Sequence, residues 1–246
     1  MKGRGGNPGK KIILLFFCFV AALANFGLNQ LAAKVFSQFL FVDTLFTLTI
    51  ALSGGIIPGI ITAFLSLLPY GLFLGEPYWP GDLFVICSIT ELILVRGFCL
   101  RFHIITKNSE PCFGMTDKFG VFKEDNFNFL LLYVISALCV ISVSMCLVIS
   151  LLGGIIGSVN TLVFKSVEKT YSPEMYFKLG LLRNQVNLIL ANILARIPVN
   201  MVDRVIVVFG SYGLFLFIFR IKSRLGVYRA AWGSAIATIN GPDRPG

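Results

Sequence analysis

Two stretches of this chain decide its fold: FVDTLFTLTI at residues 41–50 and IPVNMVDRVIVV at residues 197–208. Each places charged side chains at the start of a long apolar block. A helix needs roughly 20 apolar residues to cross the hydrocarbon core of a bilayer. A charge inside such a helix costs about 2.5 kcal/mol or more, so it is usually paired or functional. The chain is therefore predicted to work in a membrane, with its few buried polar groups carrying its function.

Composition supports this prediction. Of the 246 residues 56% are hydrophobic and 13% are charged, whereas a typical soluble domain is about 25% charged. The net charge is +9, but the basic residues stand in short strips beside apolar blocks. Such strips are typical of the cytoplasmic flanks of membrane helices, and nucleic-acid binding would need a continuous basic face. No nucleic-acid partner is expected.

The apolar runs predict an all-α, polytopic integral membrane protein with six membrane helices and an amphipathic helix before the last one. The predicted spans lie near 11–30, 38–53, 56–75, 82–105, 128–157 and 201–221. The glycine turn Ser53-Gly54-Gly55 joins the second and third. The fifth apolar block continues to Phe164, too long for a bilayer, so a bend or break is expected near Gly153-Gly154. Residues 177–196 are predicted to form the amphipathic surface helix.

The distribution of Lys and Arg predicts the orientation. Basic residues collect in the N-terminal segment 1–10, in the 101–127 loop and in the tail 222–246. By the positive-inside rule both termini are cytoplasmic, and the expected location is a cytoplasmic (inner) membrane. The basic residues of 165–204 run against the rule, although acidic neighbours and the length of the segment weaken that signal. Cleavage of the first helix after Ala22-Leu23-Ala24 is a second reading of the N-terminus.

Several polar side chains are expected to converge on one externally open pocket. In this topology the second and sixth helices enter from outside at Asp43 and Asp203-Arg204, and Asp43 with Arg204 is the candidate ion pair. The pair has either a ligand-binding or a purely structural role. Glu91, near mid-membrane, pairs with Arg96 or Arg204, stays protonated, or holds a ligand amine. Tyr78 and Trp79 are expected near the mouth of the pocket. The predicted substrate-binding residues are Asn29, Asp43, Thr47, Glu91, Asp203 and Arg204.

Enzyme signatures are missing from the sequence. There is no GxSxG, no HExxH, no metal-ligand cluster and no nucleotide-binding loop. The chain is predicted not to be an enzyme, to need no cofactor or metal, and to be unable to use ATP by itself. Small residues recur four positions apart, as in Gly55 with Gly59, Gly153 with Gly157, and Gly154 with Ser158. They serve either internal helix packing or a smooth surface for a membrane partner.

Three segments resemble one family of membrane proteins. FLFVDTLFTLTIALSGGIIPGIITAFLSLL at 39–68 resembles the second and third helices of the substrate-binding S components of energy-coupling factor (ECF) transporters, in which Asp-Thr opens a helix that leads through a Gly-rich turn. LLGGIIGSVNTLVF at 151–164 and IPVNMVDRVIVVFGSYGLF at 197–215 resemble the last two helices of that group. The order and the spacing of these segments agree along most of the chain.

The resemblance implies a six-helix protein that captures a micronutrient, such as a vitamin-like small molecule, from outside. It further implies docking on a transmembrane coupling subunit that carries paired ATPase subunits, with small residues of the first helix, here Ala21, Ala22 and Ala24, facing that partner. The same helical pattern also resembles membrane sensor regions that precede bacterial signalling domains. Because about 25 residues follow the last predicted helix, a sensor would need a separate output partner. That is the alternative function.

Overall fold

The computed structural model describes residues 8–35, 43–74, 83–112, 127–163 and 173–239. Over these ranges the chain is helical, and its β pairing is limited to an isolated bridge between Ile105 and Pro111. The helices are α1 (Pro8–Val35), α2 (Leu45–Gly54), α3 (Ile56–Leu65), α4 (Leu68–Leu74), α5 (Val85–Arg101), α6 (Phe127–Val163), α7 (Pro173–Arg183) and α8 (Leu188–Ile239). The all-α fold class is therefore confirmed for the described part of the chain.

Three helices are long and apolar enough to cross a membrane. The qualifying stretches are Ile12–Ala32 in α1, Phe129–Val163 in α6 and Leu188–Arg224 in α8. Their outward faces expose large apolar side chains such as Phe16, Leu147 and Phe217. Exposed apolar surface of this extent is typical of contact with lipid. The structure therefore supports a membrane protein.

The other predicted crossings correspond to shorter helices. α2 and α3 have 10 residues each, about 15 Å, which is half of the hydrocarbon thickness. α5 has 17 residues, about 25 Å, and carries Glu91 and Arg96 within it. Three of the six predicted crossings thus coincide with helices that are long and apolar enough to cross a membrane, and the six-span topology stays a prediction.

The turn between α2 and α3 lies where the glycine pair predicts it. Gly55 has φ 104° and ψ 175°, a backbone region that is essentially restricted to glycine. The two helices then pack closely, because a Cβ atom on Gly59 would lie 2.7 Å from Cβ of Ala51. Gly59 therefore serves internal packing at this hairpin, whereas Gly55 serves the turn.

α6 runs without interruption through Gly153 and Gly154, and its 37 residues extend over about 55 Å. The predicted break is therefore absent. These glycines face α8: a Cβ atom on Gly154 would lie 2.8 Å from the backbone of Ile193, and one on Gly153 would lie 3.1 Å from Nη1 of Arg196. Packing against α8 stabilises the helix where glycine alone would weaken it. The packing interpretation of these small residues is confirmed.

The predicted amphipathic helix at 177–196 is wrong as a single element. α7 ends at Arg183, and Gln185 adopts a left-handed φ of 60°. The side-chain oxygen of Asn187 then accepts the N–H of Ile189 at 2.9 Å and caps the start of α8. α8 continues through Pro198, so the predicted last span is the middle of a 52-residue helix that reaches into the predicted tail.

The core lies where α2, α5, α6 and α8 meet. Leu48, Leu92, Ile141 and Phe215 are each at most 1% exposed. α8 packs mainly against α6 and also against α2, whereas α1 packs against α2 and α3. The short helix α2 is thereby enclosed by longer helices, and the polar side chains near its ends become buried.

Candidate functional site: a buried arginine cluster

One guanidinium joins three parts of the fold. Arg204, on α8, donates a hydrogen bond from Nη1 to Oε2 of Glu91 on α5 and a second, at 3.3 Å, to Oγ1 of Thr44. Its Nη2 donates to Oδ2 of the adjacent Asp203. We refer to Thr44, Glu91, Asp203 and Arg204 as the arginine cluster. It connects α5 and α8 to the residue that precedes α2.

The arginine cluster is withdrawn from solvent. Glu91 is 1% exposed, Asp203 is 0% and Arg204 is 4% exposed. Burying charges is costly unless they are paired and their remaining polar atoms are hydrogen-bonded. Here the pairing is incomplete, because Oε1 of Glu91, Oδ1 of Asp203 and Nε of Arg204 are buried without a hydrogen-bond partner among the described residues. Buried polar groups of this kind within membrane segments are typical of functional sites.

Asp43 lies beside the arginine cluster without joining it. The predicted Asp43–Arg204 ion pair is not formed, and Arg204 pairs with Glu91 and Asp203 instead. Two carboxylates already occupy the terminal nitrogens of the guanidinium, which leaves Asp43 half-buried at the start of α2. Asp43 remains within electrostatic reach of both Arg204 and Glu91. Of the alternatives left open for Glu91, pairing with Arg204 is the one observed.

A second polar group, the asparagine cluster, satisfies the first turn of α2. Nδ2 of Asn25 on α1 donates to Oγ1 of Thr47 at 2.8 Å and to Oγ of Ser66 at 3.4 Å. Oδ1 of Asn25 accepts the backbone N–H of Phe46 at 2.9 Å. That N–H is one of the first in α2 and has no partner within the helix. Asn25 therefore acts as a cap supplied by another helix.

The predicted site residues divide between these groups. Glu91, Asp203 and Arg204 are brought together in the arginine cluster, with Asp43 beside it. Thr47 belongs to the asparagine cluster. Asn29 is half-buried on α1, one turn beyond Asn25. Tyr78 and Trp79, predicted at the mouth of the pocket, lie outside the described residues.

Arg96 binds the other end of α2. Its Nη1 donates to the backbone oxygens of Ala51 at 2.5 Å and Leu52 at 3.1 Å, and its Nη2 donates to Oγ of Ser109 at 3.1 Å. The last carbonyls of a helix lack intrahelical partners and carry partial negative charge, which favours a cation. The predicted alternative of a Glu91–Arg96 pair is therefore not observed, because Arg96 caps α2 and anchors the loop after α5.

A further arginine, Arg196, lies two turns before Arg204 on α8. Its Nε is 3.2 Å from Oε1 of Glu174 on α7, and its guanidinium carbon is 5.1 Å from the ring centroid of Phe84. Cys87, one turn before Glu91 on α5, lies within electrostatic reach of both arginines. Gly153 and Gly157 of α6 lie next to the Arg196 side chain and make room for it. Arg196 therefore connects α8 to α7 and to the residue that precedes α5.

Sequence reasoning missed Arg196, and it placed Asn25 and Thr44 among the polar groups near the pocket without predicting that they bind α2 or Arg204. A signal existed for Asn25 and Arg196, because a polar side chain in an apolar block normally has a buried partner. Their partners come from other helices, which periodicity along one segment does not identify. For Thr44 the signal was its position next to Asp43 at the start of α2.

The arrangement leaves two carboxylate oxygens, one on Glu91 and one on Asp203, that are able to accept further hydrogen bonds in a largely apolar interior. A group of three or more His, Cys, Asp or Glu side chains suited to hold a metal ion is not found within the described ranges. The polar groups of the cluster can form hydrogen bonds and ion pairs. Comparison with protein-family models, with curated proteins and with solved structures finds no match for this chain.

Proposed function

We propose that this chain is the substrate-capture subunit of an ECF-type micronutrient transporter, and that it binds a small molecule at the arginine cluster. The observation that carries the proposal is the pair of buried carboxylate oxygens, on Glu91 and Asp203, that lack a hydrogen-bond partner among the described residues. A purely structural ion pair is expected to have its polar atoms satisfied. Unpartnered acceptors between helices are what a ligand-binding site needs.

Energy for uptake would come from other subunits. The sequence contains no nucleotide-binding loop, so ATP hydrolysis requires separate ATPase subunits reached through a transmembrane coupling subunit. In this proposal the pocket opens to the outside and both termini are cytoplasmic. Asp43 stands at the start of α2, close to the arginine cluster, where its charge acts on Arg204 and on an incoming ligand.

The proposal is tested by purifying the full chain from its native membrane with its lipid. Mass spectrometry of the purified sample identifies retained small molecules and accompanying proteins. A retained small molecule together with ATPase subunits is the expected result. Asp43→Asn should weaken retention about tenfold, equivalent to about 1.4 kcal/mol, whereas Glu110→Gln in the loop after α5 should leave it unchanged. A chain that retains no small molecule contradicts the proposal.

One observation favours the alternative, a membrane sensor that signals through a separate output partner. α8 carries Arg204 and continues as one helix to Ile239, beyond Arg224, where its apolar stretch ends. A helix of this length transmits a displacement at Arg204 to a protein outside the membrane. Purification with a signalling protein and without ATPase subunits would support the sensor function over the transporter function.

A further inference from the structure

The arginine cluster carries more negative than positive charge. Glu91 and Asp203 each direct one carboxylate oxygen to Arg204, and the single guanidinium balances one of the two charges. Asp43, within electrostatic reach, adds a third carboxylate. The second oxygens of Glu91 and Asp203 are buried and have no hydrogen-bond partner within the described ranges. An uncompensated charge in an apolar interior is unstable, so the cluster must either take up a proton or bind a positive group.

The nearby arginines do not supply that charge. Arg96, on the same helix as Glu91, donates its hydrogen bonds to the backbone of Ala51 and Leu52 and to Ser109. Arg196, on the same helix as Arg204, is engaged with Glu174. Both side chains are fixed at other places in the fold. A cation that balances the cluster would therefore be a bound molecule and not one of these two arginines.

We propose that the ligand of this site bears a primary ammonium group, which donates hydrogen bonds to Oε1 of Glu91 and Oδ1 of Asp203 while Arg204 stays bound to their other oxygens. This inference rests on the proposed function, since it names the chemical class of the captured molecule. An ammonium group presents three donors and no acceptor, which matches two carboxylate oxygens.

The co-purified molecule provides the first test. Native mass spectrometry of the full chain released from lipid nanodiscs should identify a retained compound with an amine that is protonated at neutral pH. A retained anionic or uncharged compound overturns the inference about charge and leaves the capture function intact. A chain that retains nothing contradicts the capture function, and the following probe comparison then decides the inference about charge independently.

The probes are n-propylammonium chloride and its neutral analogue 1-propanol, added to the purified full chain in nanodiscs. Calorimetric titration should show binding of n-propylammonium at least tenfold tighter than that of 1-propanol. Sodium chloride at the same concentration controls for ionic strength and for a bound inorganic cation. Equal affinities for the ammonium compound and the alcohol, or an equal response to sodium, overturn the proposal.

Variants assign the preference to the cluster. Glu91→Gln should reduce the preference for n-propylammonium over 1-propanol by about tenfold, and Asp203→Asn should do the same. Glu110→Gln makes the same chemical change outside the arginine cluster and should keep the wild-type preference. Size-exclusion chromatography identifies any variant that fails to fold. The comparison of n-propylammonium with 1-propanol on the wild-type chain does not depend on the variants. An unchanged preference in folded Glu91→Gln and Asp203→Asn overturns the assignment.

Discussion

Arg204 connects several segments of the chain in the interior of the protein. Its two terminal nitrogens bind carboxylates from α5 and α8, and one of them also reaches Thr44 before α2. Without this guanidinium, Glu91 and Asp203 would face each other as buried like charges. Removing one partner of a buried ion pair usually destabilises a protein by about 3–5 kcal/mol.

We expect Arg204→Gln to lower the free energy of unfolding by that amount, about 3–5 kcal/mol. The measurement is denaturant-induced unfolding of the full chain in mixed micelles. Arg101→Gln is the matched control, because Arg101 is exposed in the last turn of α5, and its effect should stay within about 0.5 kcal/mol. Equal effects of the two substitutions would show that the arginine cluster does not stabilise the fold.

Among the elements, α2 is the shortest helix for which the structure shows capping at both ends. Its first turn receives Asn25 from α1, and its last carbonyls receive Arg96 from α5. Asp43 at the start and Arg96 at the end both match the helix dipole. A 10-residue helix is marginal by itself, so contacts from neighbouring helices stabilise it.

Arg96→Gln should therefore release the end of α2 and the loop after α5. Hydrogen–deuterium exchange should become faster at Gly55, whose N–H binds the oxygen of Ala51 at 3.1 Å, and in the loop that contains Ser109. Hydrogen bonds to a charged group contribute about 1.5–3 kcal/mol. Ser109→Ala removes the loop contact alone, so its faster exchange should be confined to the loop. Unchanged exchange in Arg96→Gln would contradict the capping role.

The contact between α6 and α8 depends on Gly154. Gly154→Ala places a Cβ atom 2.5 Å from Cγ1 and 2.8 Å from Cα of Ile193, so the two helices must separate. We expect a loss of about 1–3 kcal/mol in the free energy of unfolding. In Gly97→Ala the new Cβ meets nothing within 4 Å, and alanine favours the helix by about 1 kcal/mol. A loss in Gly97→Ala equal to that in Gly154→Ala would contradict this account.

Local signals predicted some elements and missed others. The turn before Ile56 was identified from its pair of glycines. Gly55 has a φ of 104°, which needs glycine. The start of α8 was missed, although Asn187 before an apolar run is a recognisable N-cap. The last span was predicted to begin near residue 201, whereas α8 continues through Pro198, since a membrane helix tolerates an internal proline when neighbours satisfy the backbone. In the candidate site, the acidic and basic residues were identified, but their pairing depends on contacts between distant segments.

At the scale of the whole molecule, the exposed apolar faces of α1, α6 and α8 indicate contact with lipid, and the positive-inside rule gives the direction of insertion. The loop after α5 should be cytoplasmic, and α7 should face outside. These two segments should therefore lie on opposite sides of the membrane. Their sidedness therefore tests whether the candidate site opens outward.

A membrane-impermeant maleimide applied to intact cells measures that sidedness. Cys112, a partly exposed native cysteine in the loop after α5, should react only after the cells are permeabilised. Gly180→Cys on α7 should react in intact cells, since Gly180 is exposed and a side chain there meets nothing within 4 Å. Labelling of Cys112 in intact cells, with Gly180→Cys protected, would reverse the topology and place the proposed opening on the cytoplasmic side.

Pro198 lies on α8 between the half-buried Arg196 and the buried Arg204. Proline has no N–H, so the carbonyl of Leu194 loses its helical hydrogen bond. One hydrogen bond is thereby missing from the helix at this point, so we expect any bending of α8 to occur here, with one guanidinium on either side. Because Arg196 stays paired with Glu174 on α7, a displacement of Arg204 would then be carried toward Ile239 and not toward Leu188.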